Sequence, residues 1–258
     1  MFLLLFSALA AEVNAQETKE QLYPDPPSVD SVLTWEETFK YEVRYSFFRL
    51  GNVKVQIYRD TVQNTSGWLM KTIITSNSSI PFVGKEINHY NSFFVMEDSM
   101  PKELFYWRDN IDEEEYKDMT YAFSWEDKKV YAKLKDEPAD TLDLEEGGGS
   151  GQLVFLMGRT FAGTRDSLDM PIYIEYEKGY LNIHGTTEID RRKYDAFEGK
   201  VETFYSKGST DIEGPFGFKG RFESWYLTDG LRVPLEAYVK VWLGNVKIKL
   251  TEYTKELR

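Results

Sequence analysis

The sequence predicts a mainly β chain, with antiparallel sheets forming a half-barrel or barrel-like architecture around one short helix, and three observations lead there. Apolar and polar residues alternate with a period of two over several runs, the pattern of strands with one wet face. Aromatic residues are abundant, with 17 Tyr, 17 Phe and 6 Trp, and they suit a pleated, half-buried surface better than a helix. The strand-like runs follow one another at short spacing, interrupted by a single helical stripe, which argues against a βαβ fold.

Residues 1–11 form an apolar run, and Val13-Asn14-Ala15 ends on the small residue that a signal peptidase accepts. Residues 1–15 are therefore read as a signal peptide cleaved before Gln16, although no Lys or Arg precedes the run. The run is shorter than the roughly 20 apolar residues that span a bilayer, and no other stretch comes close. Without cysteine there is neither a disulfide framework nor a lipid-modified cysteine after the signal. The expected product is exported and soluble, either periplasmic or extracellular. Residues 16–34 read as an extended N-terminal tail, and 35–258 as a single β-rich domain in two halves joined near 146–151.

The clearest strand begins at Phe39, where Phe39, Tyr41, Val43, Tyr45 and Phe47 alternate with Lys40, Glu42, Arg44 and Ser46. Gly51-Asn52 follows, and then Val53, Val55 and Ile57 alternate again, so a hairpin turn is expected at Gly51-Asn52. The same device recurs where Leu235, Ala237, Val239, Val241 and Leu243 precede Gly244-Asn245. The pentapeptide Leu50-Gly51-Asn52-Val53-Lys54 reappears as Leu243-Gly244-Asn245-Val246-Lys247, and repeated use of a good hairpin explains it more simply than duplication. Further strands are expected at 68–75, 90–96, 104–108, 119–125 and 129–134, with Pro81, Pro101 and Pro138 between runs, as paired strands require. Gly147-Gly148-Gly149-Ser150-Gly151 reads as a flexible linker. After it Leu153, Leu156, Met157 and Phe161 lie at helical spacing, giving one short helix over 152–163. Strands around 172–177, 180–187, 200–205 and 219–227 precede the final hairpin.

The chain carries no catalytic constellation, so no enzyme activity and no cofactor are expected. Gly149-Ser150-Gly151 has Gln152 where a nucleophile elbow needs its last glycine, and no strand leads into it. Glu86 and His89 stand three apart, which on a strand puts them on opposite faces, and His184 is read as an ordinary polar residue; no metal ligand set is predicted. The acidic run 109–115 lacks the glycine of a calcium loop and reads as a solvated connection. Asn64-Thr65-Ser66 and Asn77-Ser78-Ser79 read as turns. A formal net charge of −12 repels phosphate backbones and anionic headgroups at long range, so nucleic acid is not an expected partner.

What remains is an apolar surface on sheets. The stretch Phe39-Lys40-Tyr41-Glu42-Val43-Arg44-Tyr45-Ser46-Phe47, the helix Leu153-Val154-Phe155-Leu156, and the ending from Gly220-Arg221-Phe222 through Trp225-Tyr226 to Arg232-Val233-Pro234-Leu235 together resemble the bacterial exported proteins of domain of unknown function 3108. Gly230 departs from the second acid that many relatives carry at that turn. That resemblance implies no activity and transfers no catalytic residue. More distantly the chain is similar to the LolA and LolB lipoprotein carriers, which implies a LolA-like incomplete barrel holding acyl chains under a helix. The expected function is a non-enzymatic periplasmic binding or carrier protein for an apolar, lipid- or lipoprotein-like ligand. Its candidate cavity residues are Phe39, Tyr41, Tyr45, Phe47, Leu156, Phe161 and Trp225. The alternative is an envelope structural or assembly factor that docks on a partner protein at a bare sheet edge.

Overall fold

A computed structural model describes residues 23–77, 87–110, 117–135, 137–214, 218–241 and 244–257. The expected signal peptide lies outside them. A short helix α1 (Val29–Val32) leads into β1 (Trp35–Tyr45), β2 (Phe48–Val62), β3 (Thr65–Ser76), β4 (Ile87–Glu97), β5 (Met100–Asn110), β6 (Lys117–Ser124), β7 (Lys129–Leu134) and β8 (Asp140–Asp143). A 3-10 turn at Gly151–Leu153 enters α2 (Val154–Phe161). After it come β9 (Ser167–Ile174), β10 (Glu177–Lys193), β11 (Lys200–Gly214), β12 (Phe218–Leu227), β13 (Pro234–Val241) and β14 (Gly244–Leu257).

The strands form one antiparallel sheet in the order β8-β7-β6-β5-β4-β3-β2-β1-β14-β13-β12-β11-β10-β9. Within β1–β8 and within β9–β14 every strand pairs with its sequence neighbours, β8 and β9 do not pair with each other, and one seam joins the two runs, where β1 pairs with β14 from Trp35↔Leu257 to Arg44↔Lys247. That single long-range pairing makes two meanders into one sheet. The sheet curls but is not closed, and β8 and β9 remain its edges.

The residues between those edges are a packed strap, which corrects the expected flexible linker. Leu144 N–H donates to the Lys128 carbonyl at 2.9 Å, Gly149 N–H to Pro171 at 3.1 Å, and Tyr173 N–H to Gly149 at 3.1 Å. Gly148, Gly149 and Ser150 are buried. A Cβ on Gly149 would stand 2.7 Å from Leu153 and 2.8 Å from the Glu103 carboxylate, so this glycine serves close approach rather than flexibility.

Both expected Gly-Asn turns are also strand. The β1–β2 turn is Ser46-Phe47: Tyr45 pairs with Phe48, and Ser46 takes the positive φ of 53°. Gly51 lies inside β2 opposite Val43, where any Cβ would fall 2.2 Å from the Thr75 carbonyl oxygen. Gly244 pairs with Val241 and Asn245 with Lys240, so they begin β14. Only Asn64 of the expected turn residues turns the chain within the described part, with φ 47° at Gln63 and 64° at Asn64. Asp109 belongs to β5, where its carboxylate accepts from Asn91 and Trp107 at 3.1 Å; residues 111–116 lie outside the described residues. The tail docks instead of extending freely from Tyr23 onward.

The main core sits where α1 and α2 pack on one face of the sheet, with Val32, Phe39, Leu156, Val233 and Leu250 all at 0% exposure. Burying a side chain of that kind contributes about 1.5–3 kcal/mol. A second cluster, rich in rings, links Tyr106, Tyr121, Phe123, Val130 and Tyr173. It fastens β5–β7 to β9.

Candidate functional site

Alternation decides which face of the sheet meets α2. On β1, Glu37, Phe39, Tyr41, Val43 and Tyr45 share one face. Phe155 of α2 packs edge-on against Phe39 (centroids 5.0 Å apart) and Tyr41 (6.2 Å). The helix stripe turns Leu156 and Met157 into the core. At Gly158 a Cβ would meet the Tyr226 hydroxyl at 2.3 Å, so helix and β12 touch through a missing side chain.

Buried charge fixes the same helix. Arg159, at 0% exposure, donates to the Glu37 carboxylate at 2.5 and 3.1 Å and to the Leu231 carbonyl at 2.8 Å. Tyr253 donates its hydroxyl to Glu37 at 2.7 Å. Burial, and then Glu37, push that hydroxyl well above the ordinary phenol range, so it remains a donor. At the end of α2 the buried Arg232 donates to the carbonyls of Ala162 (3.1 Å), Thr228 (3.0 Å), Asp229 and Pro24 (2.5 Å). One guanidinium thus caps the helix and holds the tail. Tyr23 adds a hydrogen bond to Glu202 at 2.9 Å and an edge-on contact with Phe204.

At the other end of α2 stands Glu103 of β5, 0% exposed. Its carboxylate accepts from Ser92 Oγ, Ser150 N–H and Ser150 Oγ, the last at 2.8 Å. Burial pushes its pKa up to about 7, and the three donors oppose that rise.

Between these fixed points the wall opens. Glu37, Phe39 and Tyr41 are buried, whereas Val43 and Tyr45 farther along the same face are half-buried, as are Val53, Val239 and Ile248. Val43 pairs with Ile248 and with Gly51, and Ile248 with Ala237, so the half-exposed apolar surface is continuous across β2, β1, β14 and β13.

Of the residues expected to line a cavity, Phe39, Tyr41 and Leu156 come together under α2, buried and tightly packed, with Tyr41 donating to the Pro234 carbonyl at 2.9 Å. Phe161 is half-buried at the end of α2, and Tyr45 belongs to the open part of the wall. Phe47 is 75% exposed because it is half of the β1–β2 turn. Trp225 lies on the opposite face: Phe222 and Ser224 pair with the inward Val239 and Ala237, while Trp225 pairs with Glu236. Arg192 covers its ring at 3.8 Å, and Glu236 is ion-paired to Arg192 (3.1 Å) and Lys247 (3.3 Å). The sequence reading missed Glu37 and Arg159. A signal existed, since Glu37 falls in phase with Phe39 and Tyr41, and Arg159 interrupts the apolar stripe of the helix.

His89 stands in β4 opposite Ile73 and Asp109, with its pKa lowered by burial and then by Lys71. Among the described residues no group of three or more His, Cys, Asp or Glu is placed to hold a metal ion. No helix among them is long and apolar enough to cross a membrane.

No family model matches the chain, and no curated protein matches it. A solved structure shares its fold. The β-barrel-like protein of Domain of Unknown Function DUF1849 from Brucella abortus superposes with a TM-score of 0.56 at 11% identity, over 86% of this chain and 97% of that one. At that identity the likeness is one of architecture. It supports a β-barrel-like architecture, and neither the exported family nor the lipoprotein carriers named above in particular.

Proposed function

We propose that the protein is an exported, non-enzymatic carrier whose half-barrel accommodates the apolar part of a lipid-like ligand. The observation that supports this is the half-buried apolar wall of Val43, Tyr45, Val53, Val239 and Ile248, on the concave side of an unclosed sheet and next to a helix pinned in place. A lined, pre-formed apolar surface beside rigid elements is what an acyl chain requires. The resemblances to domain of unknown function 3108 and to the lipoprotein carriers agree with this reading, as does the apolar leader of residues 1–15. The assembly-factor reading asks for a bare sheet edge, and Gly149 already occupies part of the β9 edge.

Fluorescent fatty-acyl probe binding tests the proposal. Val43→Glu places a carboxylate on the half-exposed wall, where the fold tolerates it but an acyl chain does not. The variant is expected to keep its far-UV circular dichroism and to bind the probe at least about tenfold more weakly, a difference of about 1.4 kcal/mol. Absence of probe binding by the wild-type protein would count against the carrier reading, as would equal binding by the variant.

A further inference from the structure

The β1–β2 turn exposes a pair of aromatic rings, Phe47 at 75% and Phe48 at 36%, with centroids 4.1 Å apart. Single exposed apolar residues are ordinary, but two rings in tilted contact at a hairpin tip present a continuous apolar point. Cations surround this tip. Arg44 pairs across strands with Lys247 on one side and with Arg49 on the other, although like charges directly opposite destabilise a sheet. Glu42 reaches both Arg44 and Arg49, and Glu236 reaches Lys247, so these three cations share two carboxylates.

Next to them runs an open groove of about 530 Å³ that includes Arg44, Lys247, Tyr238, Lys240 and Arg221. The register that pairs Phe222 with Val239 sets Arg221 beside Lys240, and neither has a carboxylate partner among the described residues. Glu223 is the acid of this groove, and it is engaged by the Tyr205 hydroxyl at 3.1 Å. A chain of net charge −12 therefore concentrates five cations around one aromatic tip.

We propose that this end of the half-barrel docks on a bilayer surface bearing anionic phospholipid headgroups, with Phe47 and Phe48 entering the interface and the groove receiving headgroup phosphates. Phenyl rings gain by burying apolar surface at that boundary, and clustered Arg and Lys are drawn to an anionic leaflet. The overall negative charge does not forbid it: at physiological salt the Debye length is about 8 Å, so distant acids are screened while the cluster is in contact. The proposal rests on the carrier reading for its purpose, since Tyr45 and Val43 of the open wall adjoin the same turn. Its test is independent of that reading.

The experiment is flotation of the protein with vesicles of phosphatidylcholine alone, and of phosphatidylcholine mixed equally with phosphatidylglycerol. Wild type is expected to float with the mixed vesicles only, and less so at high salt. Phe47→Ser with Phe48→Ser, and Arg221→Glu with Lys240→Glu, change exposed side chains; each pair is expected to reduce flotation at least about tenfold with thermal melting unchanged. If wild type fails to float with mixed vesicles, or if both variants float as wild type does, the proposal is overturned. Flotation with phosphatidylcholine alone would remove its anionic half. Self-association abolished by the Phe47 and Phe48 changes, without flotation, would overturn it by assigning the tip to a second copy of the chain. Acyl-probe binding is read separately, so a protein that binds the probe but not the vesicle retains the carrier function and loses the docking site.

Discussion

Replacing Glu37 with alanine is expected to cost about 3–5 kcal/mol of stability, because it leaves the fully buried Arg159 charge with no carboxylate and, among the described residues, the Leu231 carbonyl as its remaining hydrogen-bond acceptor. For a chain of this size about 2–4 °C of melting temperature is lost per kcal/mol, so the melt should fall by roughly 10 °C. Removing both charges tells a different story. Glu37→Leu with Arg159→Met substitutes apolar volume for a desolvated pair, and such replacements are often neutral or stabilising by about 1–4 kcal/mol. The double variant should therefore be markedly more stable than the single. Thermal unfolding followed by circular dichroism measures both. A loss below about 1 kcal/mol in Glu37→Ala, the range of an exposed pair, would show that this ion pair does not anchor α2.

The second large effect is a dependence on pH that resides in Glu103. Its carboxyl is raised from an ordinary 4.5 to about 7, with burial as the cause. Between those values the folded chain keeps a proton that the unfolded chain releases, so folding stability falls as pH rises. The contribution is fully present below pH 4.5 and is lost through pH 7. At about 1.36 kcal/mol per unit, the loss amounts to an order of 3 kcal/mol between pH 5 and 8. Glu103→Gln keeps an acceptor for Ser92 and Ser150 but carries no charge, so its stability should stay nearly flat over that window. The advantage of the variant over wild type should thus grow with pH in urea denaturation. A constant difference between pH 5 and pH 8 would mean that Glu103 does not titrate in the folded protein. The consequence reaches the helix beside the half-exposed apolar wall, because the Ser150 held by Glu103 begins the turn into α2.

Much of this architecture was legible in the chain. The alternation of Phe39, Tyr41, Val43 and Tyr45 located β1 and its inward face, and the spacing of Leu153, Leu156 and Met157 located the helix. Glycine was the misleading letter. Gly51 and Gly149 look like turn and linker residues, yet each sits where a neighbouring group passes too close for a Cβ, a need that only the folded neighbours reveal. The pairing of β1 with β14 joins residues more than 200 positions apart, as Lys40 with Glu252 shows, and nothing local announces it. Trp225 was assigned inward, but it alternates with Ser224 and Tyr226, which share the face towards α2, and so it points to the opposite side of the sheet. The exposed Phe47 continued the alternation one step past the strand's end.

The carrier reading meets its most direct test in mass spectrometry of organic extracts from protein purified out of its native compartment. A lipid recovered at one mole per mole of protein, and lost from the Val43→Glu variant, is the predicted result. Protein that is folded, full-length and empty of any apolar molecule would contradict it.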